Sequence, residues 1–186
     1  MTLASSKTRE QFPLSPKKIY KKTFTSTLGW AFLLLCVYAI AFFSLITVGD
    51  QAARYLPVIT IAVVGFLSIV VFLTFLYQKW YFEVYFYDLA HDYIVIRKNP
   101  ITPKEITIPY ERVQDVYMDQ DLFDRFFGLY DVHLSSATVS SGMAAKIDGV
   151  EKEAADGLRA LLLQKVQERI SKKQVGSLPN TPSPGA

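Results

Sequence analysis

The residue pair that comes nearest to catalytic chemistry is His133 and Ser135, which alternate within Tyr130-Asp-Val-His-Leu-Ser135. Alternate residues of a strand share one face, so the imidazole and the hydroxyl would lie on the same side of a sheet. Nucleophilic catalysis also needs hydrogen-bond geometry between the two groups and an acid that orients the histidine. The sequence contains no GxSxG turn that would present such a serine. We therefore predict that this segment is a structural strand and that the protein has no catalytic residue.

Carboxylates and sulfur ligands give no stronger signal for a metal or a cofactor. Asp119, Asp121 and Asp124 could suggest a calcium loop, but the central glycine and the final glutamate of an EF-hand are absent. Cys36 is the single cysteine, which is no basis for a disulfide, a zinc site or an iron–sulfur site. No Walker loop, GxGxxG or HExxH motif occurs. We predict no metal-binding residue, no cofactor and no enzymatic activity.

The composition excludes several other classes of protein. Hydrophobic residues make up 51% of the 186 residues and the mean hydropathy is +0.20. These values exclude a disordered chain and a collagen-like chain. The net charge of +3 is too small to indicate a nucleic-acid partner.

Many of the apolar residues lie in two uncharged segments near the N-terminus. Residues 23–49 and 55–78 carry no charged side chain. A helix needs about 20 apolar residues to cross about 30 Å of hydrocarbon, and both segments reach that length. A buried helix of a soluble core would keep a polar stripe, and a cleaved signal peptide has a shorter apolar stretch. We therefore predict transmembrane helices at about 28–48 and 56–76.

Basic residues set the expected orientation of this transmembrane hairpin, which spans residues 23–78. The basic N-terminal segment, residues 1–22, carries six lysine and arginine side chains against one acid, whereas the loop at 49–54 carries one basic residue, Arg54. The positive-inside rule then puts both termini in the cytoplasm. The sequence thus predicts a multi-pass protein of the cell (plasma) membrane, with membrane lipid around both helices.

The pattern changes at residue 79, where a cytoplasmic α+β domain is predicted to begin. Aromatic and β-branched residues favour strands at 81–87, 93–96, 105–109, 112–117, 130–135 and 144–150. A short helical turn is expected at 122–127, and leucines at helical spacing predict an amphipathic helix over 151–170. The domain therefore spans 79–170 as a sheet or barrel with a helical lid. The proline-containing residues 171–186 are predicted to form a disordered tail.

Three segments of this domain resemble a known family. They are Ile108-Pro-Tyr-Glu-Arg-Val-Gln-Asp-Val116, Phe123-Asp-Arg-Phe-Phe-Gly-Leu129 and Val132-His-Leu-Ser-Ser-Ala137. In their order and spacing they resemble the bacterial pleckstrin-homology-like family of membrane proteins, the YdbS-like group. The matching motif residues, to which we assign structural roles, are Pro109, Arg112, Gln114, Arg125, Gly128 and Leu129.

The resemblance implies a pleckstrin-homology-like β-barrel or sandwich that is capped by the C-terminal helix, and it implies no enzymatic activity. We therefore expect a non-catalytic, membrane-anchored module that acts as a protein-interaction or assembly platform. Its partners would be other membrane or membrane-associated proteins, or a second copy of the chain. A sensor of anionic lipid and an accessory subunit of an envelope or transport complex remain alternatives.

Two sets of residues are candidates for these contacts. Basic side chains near the membrane could contact anionic lipid, namely Lys17, Lys18, Lys21, Lys22, Arg97, Lys98 and Lys104. Aromatic side chains could contact a protein, although each could equally lie in the core or at its rim, namely Tyr85, Tyr87 and Tyr117. Residues 111–131 carry six acids against two arginines, so we expect this segment to face away from an anionic leaflet.

Overall fold

The structure, a computed structural model, describes residues 6–48, 54–136 and 145–176. Contacts divide these residues into two compact units. One unit is continuous, Pro16–Glu83, and contains two long helices. The other is discontinuous and combines the described residues up to Ser15 with those from Val84 onward. The expected boundaries after residues 22 and 78 are therefore corrected, because residues 6–15 fold with the domain.

The two long helices and the last helix agree with the predicted positions but are longer, whereas the short helix at 122–127 has the predicted bounds. Tyr81 to Val84, predicted as strand, continue the second long helix, so the helix formed by the preceding apolar run overrides the strand propensity of Tyr81, Phe82 and Val84. The last helix continues through residues 171–176, which corrects the predicted start of the tail, while residues 177–186 lie outside the described part. The described α-helices are α1 Lys7–Gln11, α2 Lys17–Val48, α3 Leu56–Val84, α4 Leu122–Phe127 and α5 Lys152–Gly176.

Helices α2 and α3 are long and apolar enough to cross a membrane. They contain 32 and 29 residues, and their most apolar windows have mean hydropathies of 2.3 and 2.8. Neither window is buried within the protein. The hydroxyls of Tyr38 and Thr60 lie 3.0 Å apart and join the two helices. An apolar cleft of about 260 Å³ lies beside this contact. The predicted connection at 49–54 lies, apart from Arg54, outside the described residues.

The strands of the discontinuous unit form two antiparallel sheets of three strands each. The first sheet has the order β1-β2-β3, and a short 3₁₀ turn, Tyr110–Arg112, leads to the second sheet, which has the order β4-β5-β6. Five of the six predicted strands are confirmed within two residues of their ends, and closure into a barrel stays a prediction. The strands are β1 Phe86–Leu89, β2 Tyr93–Lys98, β3 Lys104–Pro109, β4 Val113–Asp119, β5 Leu129–Ser136 and β6 Ala145–Glu151.

Alternation along the strands places one face of each sheet in a common core. In β2, Ile94 and Ile96 are buried, whereas Tyr93 is exposed. Helix α5 contacts β4, β5 and β6, and it contributes Leu158 and Leu162, which lie four residues apart on one face. The strand and helix periodicities of the sequence therefore converge on a single apolar interior. Its largest apolar side chains on the sheets include Ile94, Ile96, Ile108, Leu129, Val132 and Ile147.

Residues 6–15, which we call the strap, fold against the domain at its first strand. Ser6 and Thr8 are buried, and their hydroxyls lie 2.8 and 2.9 Å from Asp88 Oδ1, to which both donate. Ser6 Oγ also donates to Tyr87 O at 2.6 Å, and Leu89 N donates to Thr8 Oγ1 at 3.1 Å. Two hydroxyls of the strap thus bind the outer edge of β1.

The second half of the strap reaches β6 and α5. Leu14 forms an antiparallel bridge with Val150, and Ser15 N donates to Gly149 O at 2.9 Å. The ring of Phe12 lies over Gly157 of α5, so close that a side chain at this glycine would overlap it. The strap therefore joins the edge of the first sheet to the edge of the second and to the helix.

Replacing Gly157 with alanine tests the contact between the strap and α5. Alanine stabilises the interior of a helix by about 1 kcal/mol relative to glycine. In the native chain its Cβ would lie 3.2 Å from Phe12 Cδ1 and Cζ, and closer to Cε1, so we expect the clash to offset or reverse this gain. With Phe12→Ala as background, Gly157→Ala should stabilise. Thermal unfolding of the four proteins in detergent measures the coupling, and equal shifts in both backgrounds would contradict the packing.

Candidate interaction surface

Helix α4 projects two apolar side chains from the domain. Asp121 begins the helix by accepting a hydrogen bond from Asp124 N at 2.6 Å, and Gly128 ends it in the left-handed conformation with φ of 68°. Leu122 and Phe126 lie four residues apart and therefore share one face of this short helix. Their exposed fractions are 85% and 82%, although both are large apolar residues. The helix is thus held by its ends while its apolar face stays open to solvent.

Aromatic and acidic side chains of the second sheet adjoin this helix in sequence. Tyr117 pairs with His133 across β4 and β5, and their rings stack with centroids 4.9 Å apart and planes 6° from parallel. His133 Nε2 lies 3.1 Å from Asp119 Oδ1, and the Tyr117 side chain is exposed. We call Tyr117, Asp119, Leu122, Phe126 and His133 together the β4–α4 corner. The corner combines apolar and aromatic contact area with negative charge.

The β4–α4 corner also adjoins a group of side chains that could hold a metal ion. Ligand atoms of Asp119, Asp131 and His133 all lie within 4.8 Å of one another. However, Lys146 Nζ lies 2.7 Å from Asp131 Oδ2, and Asp131 Oδ1 accepts from Gly149 N at 3.0 Å. Both carboxylate oxygens are therefore engaged, and the ammonium group would repel a divalent cation. This arrangement favours a structural ion pair over a metal site.

The ion pair between Lys146 and Asp131 keeps the lysine charged. Burial acts to lower the pKa of Lys146, but the hydrogen bond and the charge of Asp131, followed by the charges of Asp148 and Asp119, raise the pKa above its ordinary value of 10.5. Asp131 itself is buried, so the pair anchors β5 to β6 inside the domain. The pair also fixes Gly149, which accepts a hydrogen bond from the strap.

Replacing Lys146 with methionine would leave the buried carboxylate of Asp131 without its cation. We expect a loss of about 2 kcal/mol in the free energy of unfolding, as for other hydrogen bonds to charged groups. Adding Asp131→Asn should restore part of the loss, because the neutral amide oxygen still accepts from Gly149 N. Because the pKa of Lys146 is raised on folding, its charge stabilises the fold fully below pH 10.5, and this stabilisation is lost as the pH rises through the folded-state pKa. The difference in the free energy of unfolding between the native chain and Lys146→Met should therefore shrink at that pH. Unfolding by urea across this pH range measures both effects, and equal stabilities throughout would contradict the ion pair.

The motif residues occupy turns and the surface as well as the core. Gly128 has the left-handed conformation that was predicted for it, and Leu129 is fully buried. Pro109 precedes the 3₁₀ turn with φ of −62°, which suits the proline ring. The remaining motif side chains are exposed, namely Arg112, Gln114 and Arg125. Their predicted pairing with acids or carbonyls stays a prediction.

The burial of Tyr85 and Tyr87 corrects the expectation that their rings contact a partner. Both are fully buried, and Tyr85 OH donates to Lys146 O at 3.0 Å. Tyr87 OH donates to the carbonyl of Phe12 in the strap, and burial raises the pKa of Tyr87 well above its ordinary value. Since Tyr117 is exposed, it is the one member of the predicted set whose ring remains accessible.

The predicted lipid-contacting lysines of the N-terminal segment differ in exposure. Lys18 and Lys21 are buried, which corrects the expectation that their ammonium groups face lipid. Lys18 Nζ lies 5.6 Å from the centroid of the Tyr81 ring, within range of a cation–π interaction. Lys17 is exposed and Lys22 is half-buried, so these two stay candidates for lipid contact.

The other predicted lipid-contacting residues, at the end of β2 and the start of β3, partly form hydrogen bonds within the domain. Arg97 donates from Nη2 and Nε to Glu105 Oε2 at 2.6 and 3.0 Å. Lys98 Nζ donates to Lys146 O at 2.6 Å and lies 5.7 Å from the Tyr85 ring centroid. Lys104 is exposed. The patch therefore offers less free positive charge than its sequence indicates.

Sequence reasoning missed two features of the surface. The strap was interpreted as a basic segment, and no local pattern connects Phe12 with Gly157, which is far away in the chain. The helix at 122–127 was predicted, but the pattern of apolar residues did not indicate that Leu122 and Phe126 would stay exposed.

The element order and the motif positions agree with one family. A family model described as the bacterial PH domain matches residues 28–166. The chain belongs to the bacterial PH domain family. Searches of curated proteins and of solved structures found no match. The match to the bacterial PH domain includes α2 from residue 28 onward, α3 and both sheets, whereas the strap lies outside the matched residues. The YdbS-like subgroup stays a prediction.

Proposed function

We propose that this bacterial PH domain is a non-catalytic, membrane-anchored platform for protein interaction or assembly at the cytoplasmic face of the cell membrane. Membership of the family favours an interaction module over an enzyme. The observation that carries the proposal is the exposure of Leu122 and Phe126 on α4, because large apolar side chains on a folded domain commonly mark a contact surface.

The two long helices support the membrane anchor. Each exceeds the length that a bilayer requires, and their most apolar windows face outward rather than into a protein core. A charged residue inside a span usually marks an ion or proton path, and residues 23–49 and 55–78 have none. The hairpin therefore suits an anchor better than a transport path, and the excess of lysine and arginine before α2 favours cytoplasmic termini.

The charges around the β4–α4 corner favour a protein partner over anionic lipid. Asp119 and Asp121 are exposed beside the apolar pair, against one exposed arginine on α4, Arg125, so the acids outnumber the cation and an anionic leaflet would repel them. The candidate lipid-binding side chains Arg97 and Lys98 already donate to groups within the domain. A partner that presents an apolar side chain next to lysine or arginine would fit this surface. An accessory subunit of an envelope or transport complex would use the same corner, and the identity of the crosslinked partner distinguishes that alternative.

The membrane topology can be tested with single cysteines in a Cys36→Ser background. Tyr55→Cys places a thiol between the two helices, and Lys104→Cys places one on the domain. We expect a membrane-impermeant maleimide to label Tyr55→Cys in intact spheroplasts but to label Lys104→Cys only after lysis. The reason is that the proposed orientation places the connection between the helices outside the cell and the domain in the cytoplasm. Both variants should label equally in detergent. Labelling of Lys104→Cys in intact spheroplasts would refute the orientation.

A photocrosslinking amino acid at position 126 tests the docking surface in native membranes. We expect protein crosslinks from position 126, and we expect Leu122→Ser in the same chain to weaken them several-fold because it removes half of the apolar face. The exposed Thr107 on β3 is a matched control position and should give none of these products. Because Leu122 is exposed, Leu122→Ser should change stability by less than about 0.5 kcal/mol. Crosslinks to lipid in place of protein would favour the lipid sensor and contradict a protein partner.

A further inference from the structure

The strap lies on two sheet edges that the strands themselves leave open. β1 and β6 are each the last strand of a sheet, and a strand at an edge presents backbone groups that can pair with another segment. At β1 the hydroxyls of Ser6 and Thr8 bind these groups, and at β6 the backbone of Ser15 does so. The strap, whose residues Lys7–Gln11 form α1, thus occupies a docking site that is built by residues of the matched PH domain.

The strap reaches this site from a distant part of the chain. Residues 16–85 separate it from β1, and no short connection fixes the strap to the edges that it covers. Pro16, an exposed residue, lies between Ser15 and the first residue of α2, at the boundary between the two units. A strap from a neighbouring copy would offer the same hydroxyls and the same Phe12 ring to the same site. Exchange of an identical element between copies costs little, because each lost contact is replaced by an equal one.

We propose that copies of this protein exchange their straps within the membrane, so that residues 6–15 of one copy dock on β1, β6 and α5 of a second copy. The inference rests on the proposed function, because it names a second copy as one partner of the platform. Confinement to one membrane raises the concentration of each strap near the neighbouring site. Strap exchange would thereby link copies without any additional interface.

The site is selective for the chemistry of the strap. Asp88 accepts from two hydroxyls that lie two residues apart, Ser6 and Thr8. Gly157 leaves room for an aromatic ring four residues after the second hydroxyl, where a side chain would overlap it. The chain's own residues 6–15 meet both requirements, which favours a second copy over an unrelated peptide.

Disulfide trapping across the bridge between Leu14 and Val150 tests the exchange. Paired residues of antiparallel strands have Cα atoms about 4.5–5.5 Å apart, within the range of about 4.4–6.8 Å for a disulfide. Differently tagged Leu14→Cys and Val150→Cys chains, both with Cys36→Ser, are expressed together, and isolated membranes are treated with a mild oxidant. We expect a disulfide-linked mixed dimer whose yield is several-fold higher than the yield of dimers that either variant forms with itself. The double variant Leu14→Cys, Val150→Cys should form the same bond within one chain or between two.

Each other result overturns the exchange. A bond in the double variant that forms only within one chain, with no mixed dimer, would show that the strap stays on its own domain. Dimers of equal yield in all combinations would show random collision. If these variants do not fold, Phe12→Cys and Gly157→Cys provide a second pair, and the absence of bonds from both pairs would exclude the docked strap. Failure of the exchange leaves the maleimide labelling and the crosslinks from position 126 unchanged, so it is distinguishable from failure of the proposed function.

Discussion

The contacts between the strap and the strands after Val84 make one domain out of two distant parts of the chain. Closing a long loop costs entropy that rises only slowly with its length, so a small set of contacts can offset the insertion of residues 16–83. That set consists of the packing of Phe12 on Gly157, the β-bridge between Leu14 and Val150, and the hydrogen bonds from two strap hydroxyls to Asp88. The chain therefore leaves the domain after Ser15 and returns to it at Val84, and the helical hairpin is inserted between two segments of a single fold.

Several positive side chains of the domain donate hydrogen bonds within it, whereas an acidic and apolar surface is exposed. Arg97, Lys98 and Lys146 all donate to oxygens of the domain itself. Leu122 and Phe126 remain outside the core on α4, a helix that buries Asp124 and whose ends are held by Asp121 and Gly128. An exposed ion pair contributes little stability, whereas an open apolar pair carries a cost in water that a partner would remove. The β4–α4 corner is thus better suited to bind protein than to bind anionic lipid.

The features that the sequence predicts are those with a local period or a local conformational demand. Alternation in β2, the helical spacing of Leu158 and Leu162, and the left-handed turn at Gly128 were all accessible from neighbouring residues. The strap was not, because its partners are far away in the sequence and its own residues have no strong period. The prediction of lipid contact by Lys18 and Lys21 had a similar weakness, because charge alone does not indicate which lysines become buried, and these two do. Of the candidate interaction surface, the helix was predictable and its exposure was not.

A continuous set of polar contacts connects the β4–α4 corner with the strap. Asp119 and His133 lie beside Asp131, whose carboxylate accepts from Gly149 N, and Gly149 O accepts in turn from Ser15 N. Gly149 has a positive φ of 79°, so few other residues could hold this backbone position. Contiguity alone does not establish coupling, which requires an element with two states. The strap supplies such an element if it exchanges between copies, and its departure from Gly149 would then alter a residue that is hydrogen-bonded to the edge of the corner. Docking of a partner and exchange of the strap would then be connected through one buried carboxylate, that of Asp131.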